Sequence, residues 1–356
     1  MMTTRLITNA NLAGLTADLL AAGTLVAAPA RSVDGAVDYR FIERFDDVAL
    51  GGALPRRSLK EFFMPPTEPL LRWQQTGDGV TLQEVPTHFS PRVILGARPC
   101  DAAAVEVLDR VMGWDYRDEL WFGRREATTI IGLACPGLDA SCFCTAIGLG
   151  PDATRGSDLL LVPLDGGYHV EVVTEKGATL VAAHTARFGA DGNAAATEAF
   201  RAAARKKVAD NLAMAPADIQ TWLGNHFEHP LWNEIALRCH GCGACASVCP
   251  TCHCFDIVDE PDGLASGVRR RNWDTCQTGR FTLHASGHNP RHDQCARFRQ
   301  RVMHKFMVYP SRFEEVLCTG CGRCSRNCPG GQDLPEVLAR IEGMVKEEEP
   351  ARGGTR

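Results

Sequence analysis

The sequence of 356 residues predicts an α/β (α+β) N-terminal domain followed by a mainly helical, cysteine-rich C-terminal domain. Three observations carry this expectation. Short apolar strands alternate with helical patterns as far as Leu212, charge and cysteine content shift near His229-Pro230, and twelve of the sixteen cysteines lie between Cys239 and Cys328. The expected division is 1–228, 229–346 and a flexible tail at 347–356, acidic and then glycine-rich.

The elements follow in order. Leu12, Leu15, Leu19 and Leu20 share a helical face, and strands Thr24 to Ala28 and Val37 to Ile42 flank the Asp34-Gly35 turn. An apolar strand, Val93 to Ala97, leads through Arg98-Pro99-Cys100 into a helix that Asp101 is expected to N-cap, with Ala104, Leu108 and Val111 buried. A second buried strand, Thr128 to Ala134, ends at Cys135-Pro136, so the segment reads as a parallel βαβ unit. Ligands of open α/β sheets sit at the carboxyl ends of strands, where Cys100 and Cys135 fall. Leu159 to Leu164 and Tyr168 to Val173 read as a hairpin around Asp165-Gly166-Gly167, and the alanine-rich Ala194 to Leu212 as a helix.

Composition narrows the function classes. With 45% hydrophobic residues the chain can bury a sizeable core, and its net charge of −5 argues against a nucleic-acid protein, which needs a basic face. The N-terminus lacks a basic n-region followed by an apolar stretch, and no run of about 18 apolar residues occurs. Neither a signal peptide nor a membrane span is expected, and the cytoplasm is the expected location. In a reducing compartment so many cysteines read as metal ligands before disulfides.

Cys239-x2-Cys242-x2-Cys245-x3-Cys249-Pro250 recurs as Cys318-x2-Cys321-x2-Cys324-x3-Cys328-Pro329, a bacterial-ferredoxin run twice over. Two-residue spacers let one tight loop wrap three corners of a cubane, and Gly241, Gly243, Gly320 and Gly322 let the backbone turn closely and aim N–H groups at sulfur. The C-terminal domain is therefore expected to be dicluster ferredoxin-like, with two [4Fe-4S] clusters. By analogy with compact ferredoxins, Cys239, Cys242, Cys245 and Cys328 are assigned to one, and Cys318, Cys321, Cys324 and Cys249 to the other. Zinc ribbons also use Cys-x2-Cys pairs, but seldom three cysteines at this spacing with a fourth before proline.

Cys100, Cys135, Cys142 and Cys144 form a second group, irregular in spacing, read as a third [4Fe-4S] site against the alternative of buried free thiols. Cys252, Cys254 and Cys276, with Cys295, are ambiguous between a further metal site and small buried hydrophobes, the plainer reading being preferred. Between the runs lies a basic stretch including Arg269, Arg270, Arg271, Arg299, Arg301 and Lys305. It reads either as a docking face for an acidic partner or as locally paired arginines. His284, His288, His292 and His304 fit no metal motif and are expected to make structural hydrogen bonds. No dinucleotide fingerprint, P-loop or HExxH occurs, and no catalytic residue is nominated.

Several strings in one order resemble a known family: Lys60 to Glu68 (KEFFMPPTE), Gly96 to Asp101 (GARPCD), Cys142-Phe143-Cys144, Val248 to Asp256 (VCPTCHCFD), Trp273 to Cys276 (WDTC), His284 to Arg291 (HASGHNPR) and His304-Lys305-Phe306. They resemble the β subunit of cytoplasmic sulfhydrogenase-type [NiFe] hydrogenases and the related iron–sulfur subunit of anaerobic sulfite reductase. Cys295 departs from that pattern, and no role is carried onto it. The resemblance implies a non-catalytic relay subunit that passes electrons between a flavin subunit handling NAD(P)H and the hydrogenase small and large subunits, or a sulfite reductase catalytic subunit. It also implies a third cluster, since Cys100, Cys135, Cys142 and Cys144 fall within the family's N-terminal motifs. Two rival classes are a catalyst working at the Cys100-to-Cys144 site and a zinc-bearing scaffold.

Overall fold

The computed structural model describes residues 3–137, 139–190, 194–209 and 211–352. Its strands are β1 (Thr3–Thr8), β2 (Leu25–Arg31), β3 (Val37–Phe41), β4 (Thr67–Thr76), β5 (Gly79–Glu84), β6 (Arg92–Ala97), β7 (Thr128–Leu133), β8 (Leu159–Leu164), β9 (Gly167–Val172), β10 (Phe255–Pro261) and β11 (Ser266–Trp273). A seven-stranded sheet has the order β1-β9-β8-β7-β6-β2-β3. Its centre, β2 to β8 through β6 and β7, is parallel, while β1, β3 and β9 run antiparallel to their neighbours.

Both faces of that centre are covered, which is why its strands read as unbroken apolar runs. In β6, Val93 and Leu95 face a core shared with Leu12, Leu15 and Leu19 of the helix Asn9–Ala21. Ile94 faces the opposite core, with Val105 and Leu108 of the helix Pro99–Met112 and with Trp121. The expected hairpins and the βαβ unit are present, with most ends shifted by a residue at most; β2 runs to Arg31, three residues beyond the expected Ala28. The alanine-rich helix runs Ala194–Ala209, and Asp210, within the expected span, lies outside the described residues.

Asp101 does not cap its helix. Pro99 occupies the first turn, where its fixed φ and missing N–H cost nothing, so the helix starts earlier with Arg98 as the cap residue. Asp101 is instead buried inside the protein.

A four-stranded antiparallel sheet, β10-β11-β4-β5, is built from distant parts of the chain. β11 pairs with β4 across the boundary expected at 229. The helical core crosses it too: Ile219, Trp222 and Leu223 of the helix Pro216–Asn225 pack with Trp232, Phe298, Phe306 and Leu338. Beyond this sheet the C-terminal region is mainly helical. The helix Gln294–Met303 continues into one π-helical turn, His304–Val308, and the last helix spans Leu334–Arg352. That helix therefore covers part of the expected tail, and 353–356 lie outside the described residues. Among the described residues no helix is long and apolar enough to cross a membrane.

Candidate metal centres

The first run begins just beyond the helix Leu231–Ala236, which is anchored by Leu231, Trp232 and Ile235. Its loop wraps a pocket lined by Cys239, Cys242 and Cys245, and Cys328 of the second run closes the same pocket. Cys249 leaves this loop and lines a second pocket with Cys318, Cys321 and Cys324. The chain thus exchanges its fourth cysteines between the loops. Cys324 borders both pockets. Among the described cysteines only Cys242 is exposed.

N–H groups converge on these sulfurs. Gln294 Nε2 donates to Cys239 Sγ (3.1 Å), the Gln332 amide to Cys328 Sγ (3.2 Å) and the Gly320 amide to Cys318 Sγ (3.4 Å). The π-helical turn buries Lys305 and aims its Nζ at Cys249 Sγ, 3.4 Å away. Such donors and cations stabilise sulfur that carries negative charge. Without metal, burial pushes the Cys318 thiol up to about 12 and Cys245 to about 11, so these thiols hold their protons at neutral pH and release them only as metal binds.

A third pocket is lined by Cys100, Cys135, Cys142 and Cys144, with Cys321 on its wall. Cys100 sits in the first turn of its helix, Cys135 follows β7, and Cys144 opens a short 3-10 turn, Cys144–Ile147. Gly320 permits this neighbourhood: its φ is +61°, and a Cβ there would stand 2.5 Å from the Cys144 amide nitrogen. The Phe143 amide donates to the Gly320 carbonyl (2.8 Å), fastening the two cysteine loops together. Burial raises Cys142 to about 11 and Cys144 to about 12.

All three pockets suit a thiolate-held cluster: the donors are sulfur, the walls offer N–H groups, and buried cations stand beside the second. No group of three His, Cys, Asp or Glu among the described residues is placed to hold a single metal ion. His284, His288, His292 and His304 thus join no such group. His253 and His304 meet edge to face at 5.6 Å, and burial lowers them to about 4 and about 3, which keeps both rings neutral.

The basic stretch is largely local. Arg269 pairs with Asp259 (2.7 Å), Arg270 with Glu260 (3.0 Å) and Arg299 with Glu228 (2.7 Å), while Arg271 is buried against Glu68 and Asp118. Arg301 and Lys305 point inward to the cysteines. Sequence reasoning missed these inward cations, and it missed Asp101 and Arg323, whose ion pair (2.7 Å) joins the Cys100 helix to the second run. Lys60 and Glu68, at the two ends of the KEFFMPPTE string, lie over the Trp273 ring and against Arg271 respectively.

Residues 238–332 match the family model of the 4Fe-4S dicluster domain. Over 315 residues the chain is 31% identical to sulfhydrogenase 2 subunit beta of Pyrococcus furiosus, covering 86% of this chain and 90% of the relative. The double cysteine run, the exchanged fourth cysteines and this similarity along nearly the whole length agree, and the chain belongs to the family of sulfhydrogenase beta subunits.

Proposed function

We propose that this chain is a non-catalytic relay which carries electrons between a flavin subunit that handles NAD(P)H and the small and large subunits of a [NiFe] hydrogenase. The observation that supports it is the series of three thiol pockets in contact, the first and second sharing Cys324 and the second and third sharing Cys321. Cys239, Cys242, Cys245 and Cys328 would hold one [4Fe-4S] cluster, Cys249, Cys318, Cys321 and Cys324 a second, and Cys100, Cys135, Cys142 and Cys144 a third. Clusters held there supply one-electron carriers whose potentials depend on hydrogen bonding, charge and exposure. The chain's own part is positional. Gln294, Gln332 and Gly320 orient N–H groups on the sulfurs, Lys305 offsets negative charge at Cys249, and the Asp101–Arg323 pair holds the third pocket against the second.

Anaerobic purification of the intact complex tests the partners: a flavoprotein and a nickel-bearing protein are expected. Sirohaem in place of nickel would make the catalytic partner a sulfite reductase, and the absence of both would overturn the relay. For the third cluster, Cys135→Ser should lower iron by about four per chain and remove one electron paramagnetic resonance component of the reduced protein. An unchanged iron content would limit the chain to two clusters.

A further inference from the structure

Cys252, Cys254 and Cys276 belong to neither ferredoxin run, yet the fold gathers them at one place. β10 and β11 pair with Phe255 opposite Trp273, so Cys254 and Cys276 flank the open end of this hairpin. The Asp274 amide donates to the Cys254 carbonyl (3.0 Å), which closes that end. The Cys254 and Cys276 thiols interact across this end. Gln277 Nε2 donates to Cys276 Sγ (3.4 Å) and Arg301 Nη1 to Cys252 Sγ (3.5 Å).

Charge makes this trio more than packing. Lys60, Arg301 and Lys305 are each 4% exposed or less. Lys60 Nζ lies 3.9 Å from the centre of the Trp273 ring and 3.4 Å from the Ala246 carbonyl oxygen. Lys305 Nζ reaches Cys249 Sγ, Thr251 Oγ1 and the Leu317 carbonyl, and Arg301 reaches Cys252 Sγ and the Cys245 carbonyl. None of the three forms an ion pair with a carboxylate of the described residues. A buried cation without a carboxylate must be offset by sulfur or, for a lysine, lose its proton. Arg301 and Lys305 also line the second ferredoxin pocket, and a cluster there would offset them. Lys60 lines neither ferredoxin pocket; burial lowers its pKa, and the sulfurs of Cys252, Cys249 and Cys254 oppose that shift. Negative charge at these sulfurs is what would keep it protonated.

We infer that Cys252, Cys254 and Cys276 hold an additional anionic iron–sulfur centre whose negative charge is offset by Lys60, Arg301 and Lys305. Each thiol gives up its proton to solvent as its sulfur binds iron. The inference rests on the iron–sulfur reading proposed above.

The test uses the complex purified anaerobically, with iron, acid-labile sulfide and zinc measured beside Mössbauer and electron paramagnetic resonance spectra. The double variant Cys254→Ser with Cys276→Ser is expected to lose about two to four irons per chain, together with one spectral component, while the components of the two ferredoxin runs persist. Unchanged iron and spectra, or loss of zinc in place of iron, would overturn the additional centre alone. Iron-free wild-type protein would instead sink the whole iron–sulfur reading. Should the double variant fail to fold, Lys60→Gln keeps every thiol and decides the matter. Movement to a more negative potential of a component that neither ferredoxin run accounts for, because a nearby positive charge is gone, supports the centre; movement confined to the ferredoxin components, or none, overturns it.

Discussion

Asp101 and Arg323 are both almost fully buried, 222 residues apart in sequence, and paired at 2.7 Å. Tyr39 donates to the same carboxylate (2.9 Å), and Arg323 Nε donates to the Pro55 carbonyl (3.0 Å), so four segments meet at one pair. Asp101→Ala leaves the guanidinium buried without its counter-ion. A loss of about 3–5 kcal/mol is expected in denaturant unfolding, with Asp101→Asn less severe because it keeps an acceptor. Gly320 is the other residue on which the junction depends. Gly320→Ala forces a Cβ into left-handed backbone against the Cys144 amide, at a cost of about 1–3 kcal/mol from strain alone. Its lowered melting temperature should be accompanied by loss of the spectral component that depends on Cys135, since the two cysteine loops can no longer lie together.

At the scale of elements, the helix Pro216–Asn225 is the link between the halves. It buries Ile219, Trp222 and Leu223 among the helices that follow, and Trp222 Nε1 also donates to Glu348 (3.0 Å). Trp222→Ala is therefore expected to destabilise the C-terminal region by about 3–5 kcal/mol, read by chemical denaturation followed through the remaining tryptophans. What was legible in the sequence follows the same physics. The central strands of the large sheet announce themselves because both faces are apolar, and the cysteine loops because cubane geometry dictates their spacing. β4 and β5 were silent: Val80 and Leu82 of β5 alternate with polar residues over only a few positions, and both stay exposed, so the pattern marks no buried face. Arg301 and Lys305 were misleading, because a buried cation next to sulfur and a solvated one look alike in a string of letters. Asp101 misled for a related reason: its true partner lies far along the chain, while the local pattern suggested a helix cap.

For the whole molecule, the shared sheet and shared helical core mean that the boundary near residue 229 does not separate two independent bodies. A fragment of residues 229–356 would lack β4, the edge that β11 pairs with, and the apolar side chains of Ile219, Trp222 and Leu223. Such a fragment should show no cooperative unfolding transition by circular dichroism, whereas the full chain should. The distribution of solvent access among the cysteines has a further outcome. Cys242 alone is exposed, while the cysteines lining the second and third pockets are buried or half-buried. Dioxygen and peroxide will attack at that corner first. Colour should then fade in stages on exposure to air, the centre at Cys239, Cys242, Cys245 and Cys328 bleaching ahead of the others, so that handling history determines how much of the chain's redox capacity survives.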